Sequence, residues 1–197
     1  HEPYNSCVYT PQLYVKAIKA VAAEFRAQGI TTRLVGPEDV GVGSTTNTGI
    51  LARQMSYINA IRADPQAMQD LYGYVIHGYA NDGVTPNRSP AMWGQYWSNI
   101  AGDNKASWMT ETSGEMPTWD GAMQLALSAQ DAIVQGNASA WIYHHTQIDN
   151  PIPNQSALTA SYSTTAFKYV AAKHLFRYVR PGAQRIAATP SDPNSVY

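Results

Sequence analysis

Apolar positions recur along this chain at two spacings in turn, three to four residues and then two, and the switches between them mark out its elements. Thr10-Pro11 reads as a helix cap with proline at the first helical position, and Gly29 as the stop, which predicts a helix to residue 27 or 28. Leu13, Ala17, Ala20, Val21 and Phe25 give it one apolar face, with Lys16, Lys19, Glu24 and Arg26 elsewhere. A short strand follows at 32–35, stopped by Gly36-Pro37 just before the acids Glu38 and Asp39. The polar stretch 41–49 reads as a loop and leads into a helix over about 50–63, which Asp64-Pro65 breaks.

The same alternation continues to the end of the chain. Residues 71–77 read as a strand centred on Tyr74-Val75-Ile76, leaving through His77-Gly78-Tyr79. Ser89-Pro90 opens a helix whose Trp93, Tyr96, Trp97 and Ile100 have helical spacing and read as packing residues. A strand at 105–110, a helix at about 120–135 closed by Gly136, and a strand at 138–143 come next, the last leaving through His144-His145. After a rigid Pro-containing loop at 150–154, the last helix is predicted over 163–179, with Phe167, Val170, Ala171, His174, Leu175 and Tyr178 on its apolar side and Arg180-Pro181-Gly182 ending it. Four strands alternating with five helices imply an α/β fold with right-handed parallel crossovers. Four strands are too few to close a barrel, for which about eight are usual.

Composition narrows the function. With 13 basic against 14 acidic residues in 197, the chain has no electrostatic footprint for nucleic acid or acidic membrane surfaces. No apolar run approaches the roughly 18 to 20 residues of a bilayer span. The lone Cys7 allows no internal disulfide and reads as a packed small residue. Five Trp and thirteen Tyr supply flat apolar faces with hydrogen-bonding tips, a composition suited to carbohydrate as well as to an aromatic core. The sequons at Asn87, Asn137 and Asn154 decide nothing.

The candidate chemistry lies at strand exits. In Trp108-Met109-Thr110-Glu111-Thr112-Ser113-Gly114-Glu115, Glu111 falls where the strand gives way to a turn, the place where parallel α/β folds carry their reactive groups. Glu2, in His1-Glu2-Pro3, occupies a comparable exit, because Pro3 cannot continue a central strand. Two carboxylates at different strand ends suggest glycoside hydrolysis, with Glu111 the candidate nucleophile. His77 and Tyr79 are placed to hydrogen-bond such a carboxylate or a sugar hydroxyl, and Glu38 to shape a pocket. Neighbouring His144 and His145 point to opposite faces of a strand and lack an accompanying acid motif, so no metal is expected, and no cofactor motif is present.

These landmarks, in this order, resemble the second half of the catalytic barrel of glycoside hydrolase family 30. The matching pieces are Glu2-Pro3 with Ser6-Cys7-Val8-Tyr9-Thr10-Pro11, Gly36-Pro37-Glu38, His77-Gly78-Tyr79, Trp108-Met109-Thr110-Glu111, the run from Gly136 to Tyr143, and that from Arg177 to Ala183. The resemblance implies a half TIM barrel over 1–182 and, in 183–197, the remnant of a connection to a β-sandwich. It implies retaining hydrolysis of β-glycosidic bonds, with Glu2 as acid/base and Glu111 as nucleophile. It further implies Trp141 as the platform under the sugar, with Tyr143 beside it, and His1 where the family carries an asparagine that binds the sugar 2-hydroxyl. A β-linked saccharide substrate and a secreted location follow from the same likeness. With half a barrel, open sheet edges are expected to drive association into a homodimer or with a complementing half-barrel, and hydrolysis by this half alone is expected to be weak. The alternative is a non-catalytic carbohydrate-binding or structural half-barrel.

Overall fold

The computed structural model describes residues 9–43, 49–80, 82–148, 157–160 and 163–187. Helix α1 (Pro11–Ala27) begins where the Thr10 hydroxyl accepts from the Leu13 amide at 3.2 Å, and it ends before Gly29, whose φ is +66°. Strand β1 (Leu34–Val35) follows, then α2 (Gly49–Arg62). Asp64-Pro65 does more than end α2. The Asp64 carboxylate accepts from the Gln66 and Ala67 amides, both at 3.0 Å, so the same residues that stop one helix cap another, α3 (Pro65–Asp70). The described residues therefore hold six α-helices where the pattern of apolar positions predicts five.

Strand β2 (Leu71–His77), helix α4 (Pro90–Ile100), strand β3 (Ala106–Glu111), helix α5 (Trp119–Val134) and strand β4 (Ala140–Trp141) complete the alternation. The sheet runs β1-β2-β3-β4, parallel throughout, with Leu34 beside Leu71, Val75 beside Trp108 and Trp108 beside Ala140. A second, two-stranded parallel sheet pairs β5 (Gln147–Ile148) with β6 (Thr159–Ala160), and α6 (Phe167–Tyr178) closes the described fold. This is an α/β arrangement with the topology of a partial TIM barrel, its strands open at β1 and β4 among the described residues.

Between the sheet and the helices lies the core. Tyr74, Ile76 and Met109 face Ile58, Ile61, Trp93, Tyr96 and Ile100, all at most 1 % exposed. The aromatic stripe on α4 is thus packing, as its spacing predicts. Two helices turn a different face inward from the one their periodicity predicts. On α1, Val15, Ile18 and Ala22 are buried, while Leu13 and Val21 are 48 % and 41 % exposed. Both stripes are apolar, and the neighbours decide between them. Tyr14 meets Tyr57 of α2 edge-on, and Lys19 and Arg26 pair with Asp64 and Asp70 at 2.5 and 2.6 Å, which rolls α1 toward α2 and α3. On α6, Lys168 and Ala172 are the buried positions, while Phe167 and Tyr178 are 50 % and 71 % exposed. A buried lysine held by specific partners, described below, sets that rotation. No helix among the described residues is long and apolar enough to cross a membrane.

Candidate active site

Glu111 owes its orientation to a register shift. Along β3, Ser107 and Met109 face the helices, so strict alternation would send Glu111 the same way. Ile76 pairs with Met109 but His77 pairs with Glu111, which leaves Thr110 as an extra residue on β3. Such a bulge re-aims the side chains that follow it. It turns Glu111 toward His77 at the exit of β2, with Glu111 27 % exposed.

Around the Glu111 carboxylate the polar groups converge from several strand exits. Tyr79 donates its hydroxyl to Oε1 at 3.0 Å and lies 3.1 Å from the Ser113 hydroxyl. His77 Nδ1 is 3.9 Å and His144 Nδ1 3.8 Å from the same oxygen. On its other nitrogen, Nε2, His77 reaches Glu38 Oε1 at 3.3 Å, and the Thr110 hydroxyl donates to that same Glu38 oxygen. The Glu38 carboxyl is held at about 2, well below its ordinary 4.5, by the His77 bond first, against the opposing effect of burial, with the Thr110 bond adding to it. Burial first of all, together with the negative charge of Glu111, pushes the Tyr79 phenol far above its usual range. Tyr79 therefore stays a hydrogen-bond donor.

The loops that carry these groups are tied down by buried polar bonds. Gln54 Nε2 donates to the Pro37 carbonyl at 2.9 Å and to the Val75 carbonyl at 2.8 Å, stapling the Glu38 loop to β2. Arg53 forks onto the buried Asp39 carboxylate, and the Asp39 carbonyl accepts from the His77 amide at 2.9 Å. Gly78 donates its amide to the Glu111 carbonyl at 2.6 Å. At Gly41 a Cβ would lie 2.0 Å from the Tyr79 carbonyl oxygen, a contact with backbone that only glycine allows.

Of the residues singled out from sequence, the structure brings together Glu111, His77, Tyr79 and Glu38. Trp141 lies elsewhere. Its register partner is Met109, and it packs on Phe176 of α6 with ring centroids 6.1 Å apart, on the helix side of the sheet. Tyr143 is buried, and its hydroxyl donates to Glu115 Oε2 at 2.8 Å. His1, Glu2 and Cys7 lie outside the described residues, as do the 150–154 loop and residues 188–197. Sequence reasoning passed over Thr110, Ser113 and His144 as polar groups of this site, because neither the bulge at Thr110 nor the loop contacts of Ser113 and His144 have a residue signature. No group of three or more His, Cys, Asp or Glu side chains able to hold a metal ion occurs among the described residues.

The parallel strands, with polar groups gathered at their C-terminal ends around one carboxylate, define the class: a partial (β/α)8 barrel with an acidic site at its top. That fold is similar to the one seen in solved structures of glycoside hydrolase family 30. A GH30 endoxylanase from Clostridium papyrosolvens C71 superposes with a TM-score of 0.68 at 24 % identity, over 98 % of this chain and 42 % of that one. The family 30 subfamily 8 xylanase of Clostridium acetobutylicum gives 0.59 at 20 %, over 85 % and 36 %. A conserved exported protein from Bacteroides fragilis gives 0.65 at 14 %, over 96 % and 45 %. The chain thus spans less than half the length of these solved structures, and at such identities the likeness is one of fold. No protein-family model and no curated protein sequence matches the chain.

Proposed function

We propose that this chain is the nucleophile-bearing half of a retaining glycosidase barrel acting on β-linked polysaccharides, xylan-like chains first. The observation that carries the reading is the setting of Glu111: a strand-end carboxylate with Tyr79 donating to one oxygen at 3.0 Å and two imidazoles within 4 Å of it. A hydroxyl donor there holds the carboxylate in a fixed orientation for attack on an anomeric carbon. In a retaining cycle Glu111 attacks and a glycosyl ester forms. The partner acid gives its proton to the leaving oxygen and then takes one from the water that frees the sugar. Glu2 is the proposed partner, an assignment that rests on its place in the resemblance. The fold shared with two xylanases supports the substrate class, and the exported neighbour supports a location outside the cell.

The test is hydrolysis of aryl β-xylosides and β-glucosides, and of xylan, by wild type, Glu111→Gln and Glu2→Gln. Release by wild type that disappears in Glu111→Gln is expected. Unchanged release in Glu111→Gln refutes the nucleophile, and saccharide binding without any release makes the chain a binding module instead. We further propose that the open edges β1 and β4 are covered by a complementary half-barrel, most simply a second copy. Light scattering then gives twice the 21.5 kDa chain mass, and a monomer at every concentration rejects the copy.

A further inference from the structure

Behind the site lies a buried ionic cluster that the proposed chemistry does not use. Lys168 on α6 and Glu115 in the loop after β3 are 2 % and 1 % exposed. Lys168 Nζ donates to the Glu115 backbone carbonyl at 2.9 Å and to the Tyr143 hydroxyl at 3.2 Å, and that hydroxyl in turn donates to Glu115 Oε2 at 2.8 Å. Nζ also lies 5.5 Å from the centroid of the Tyr143 ring. Burial holds the Lys168 ammonium down at about 8 and pushes the Glu115 carboxyl up, the latter against the pull of Tyr143, Lys168 and Arg88. A cluster so starved of water is costly, and two apolar side chains would fill the space at least as stably.

What the cluster does is fix a path. Its anchor, the Glu115 carbonyl, lies two residues beyond Ser113, whose hydroxyl is 3.1 Å from that of Tyr79, and Tyr79 donates to Glu111. On its other side the same loop is pinned at Gly114, where φ is +110° and a Cβ would come within 2.4 Å of the Val84 carbonyl oxygen. The loop is therefore held against the 84–86 turn at Gly114 and against α6 at Glu115, the two residues that directly follow Ser113.

We propose that Lys168 is a positioning residue. Through the Glu115 carbonyl it holds Ser113, and through Ser113 the hydroxyl of Tyr79, in register with the Glu111 carboxylate. The proposal takes from the preceding section that Glu111 is the reacting acid, and its test can be read without hydrolysis. The sequence has five glutamates, so a sample labelled at the glutamate carboxyl carbon gives few resonances, and Glu111 is assigned from Glu111→Gln. Lys168→Met keeps the stem and removes the ammonium. At neutral pH it is expected to displace the Glu111 resonance while leaving that of Glu38, held by His77 and Thr110, in place. Ser113→Ala cuts the last link without entering the buried cluster and is expected to displace the same resonance. It serves as the probe if Lys168→Met does not fold. Where substrate is turned over, both variants lower kcat about tenfold or more with KM within about twofold, as expected when a reacting group is misplaced and binding is untouched.

A folded Lys168→Met with the Glu111 resonance unmoved overturns the proposal, as does an unmoved resonance in Ser113→Ala. If Glu111→Gln hydrolyses like wild type, the nucleophile assignment fails on its own, while the carboxyl resonances still report whether Lys168 positions that side chain.

Discussion

Glu38 offers the most direct measurement of how the site is wired. Its carboxyl is held at about 2 against an ordinary 4.5, chiefly by its bond to His77. Such a displacement would correspond to about 3 kcal/mol in a dry interior. The Glu38 side chain is 44 % exposed, however, and solvent screening reduces the expected contribution to about 1 kcal/mol. A carboxyl lowered in the folded state stabilises above its unfolded value and loses that contribution as pH falls toward its folded one. The advantage of wild type over Glu38→Gln is therefore full above pH 4.5 and gone near 2. Urea unfolding at near-neutral pH should show wild type ahead by about 1 kcal/mol, equivalent to about 2–4 °C in Tm for a chain of this size. By about pH 3 the gap should fall below half. A gap that stays constant or widens on acidification would show that Glu38 is not held by a charge-dependent bond, and the role given to His77 would go with it.

Three further outcomes follow from the same network. Arg53→Met leaves the Asp39 carboxylate, 3 % exposed, with an uncompensated charge, and equilibrium unfolding should register a loss of about 3 kcal/mol. Gly41→Ala drives a methyl into the Tyr79 backbone carbonyl and should cost about 1–3 kcal/mol while weakening protection of the Tyr79 region in hydrogen exchange. Tyr79→Phe removes the hydroxyl that faces Glu111 and, with hydrolysis as the readout, should lower kcat about 10- to 100-fold at near-constant stability; an unchanged kcat would place Tyr79 outside the site.

The order of elements could be read from the chain because caps and breakers are local. Thr10-Pro11, Ser89-Pro90 and Gly29 act within a turn of themselves, and the helices start and stop where they fall. The faces of α1 and α6 were less legible, because each helix carries more apolar positions than one face can use and the choice rests on distant partners. For α1 those are Asp64 and Asp70, and for α6 Glu115 and Tyr143. Trp141 shows the same limit in the site. At the end of a two-residue strand, alternation alone does not say which side a ring takes, and the register with Met109 sends it toward α6.

The bulge at Thr110 joins these two levels. A regular β3 would direct Glu111 toward the apolar helix layer with Met109, where burying a carboxylate is costly, and away from His77. The additional residue turns Glu111 to face His77, and the Thr110 hydroxyl beside it donates to Glu38, which His77 also contacts. Irregularities of this kind cost ladder hydrogen bonds and persist where a side chain must be re-aimed. Two features thus single out Glu111, its place at a strand exit and the departure from regular pairing that re-aims it there.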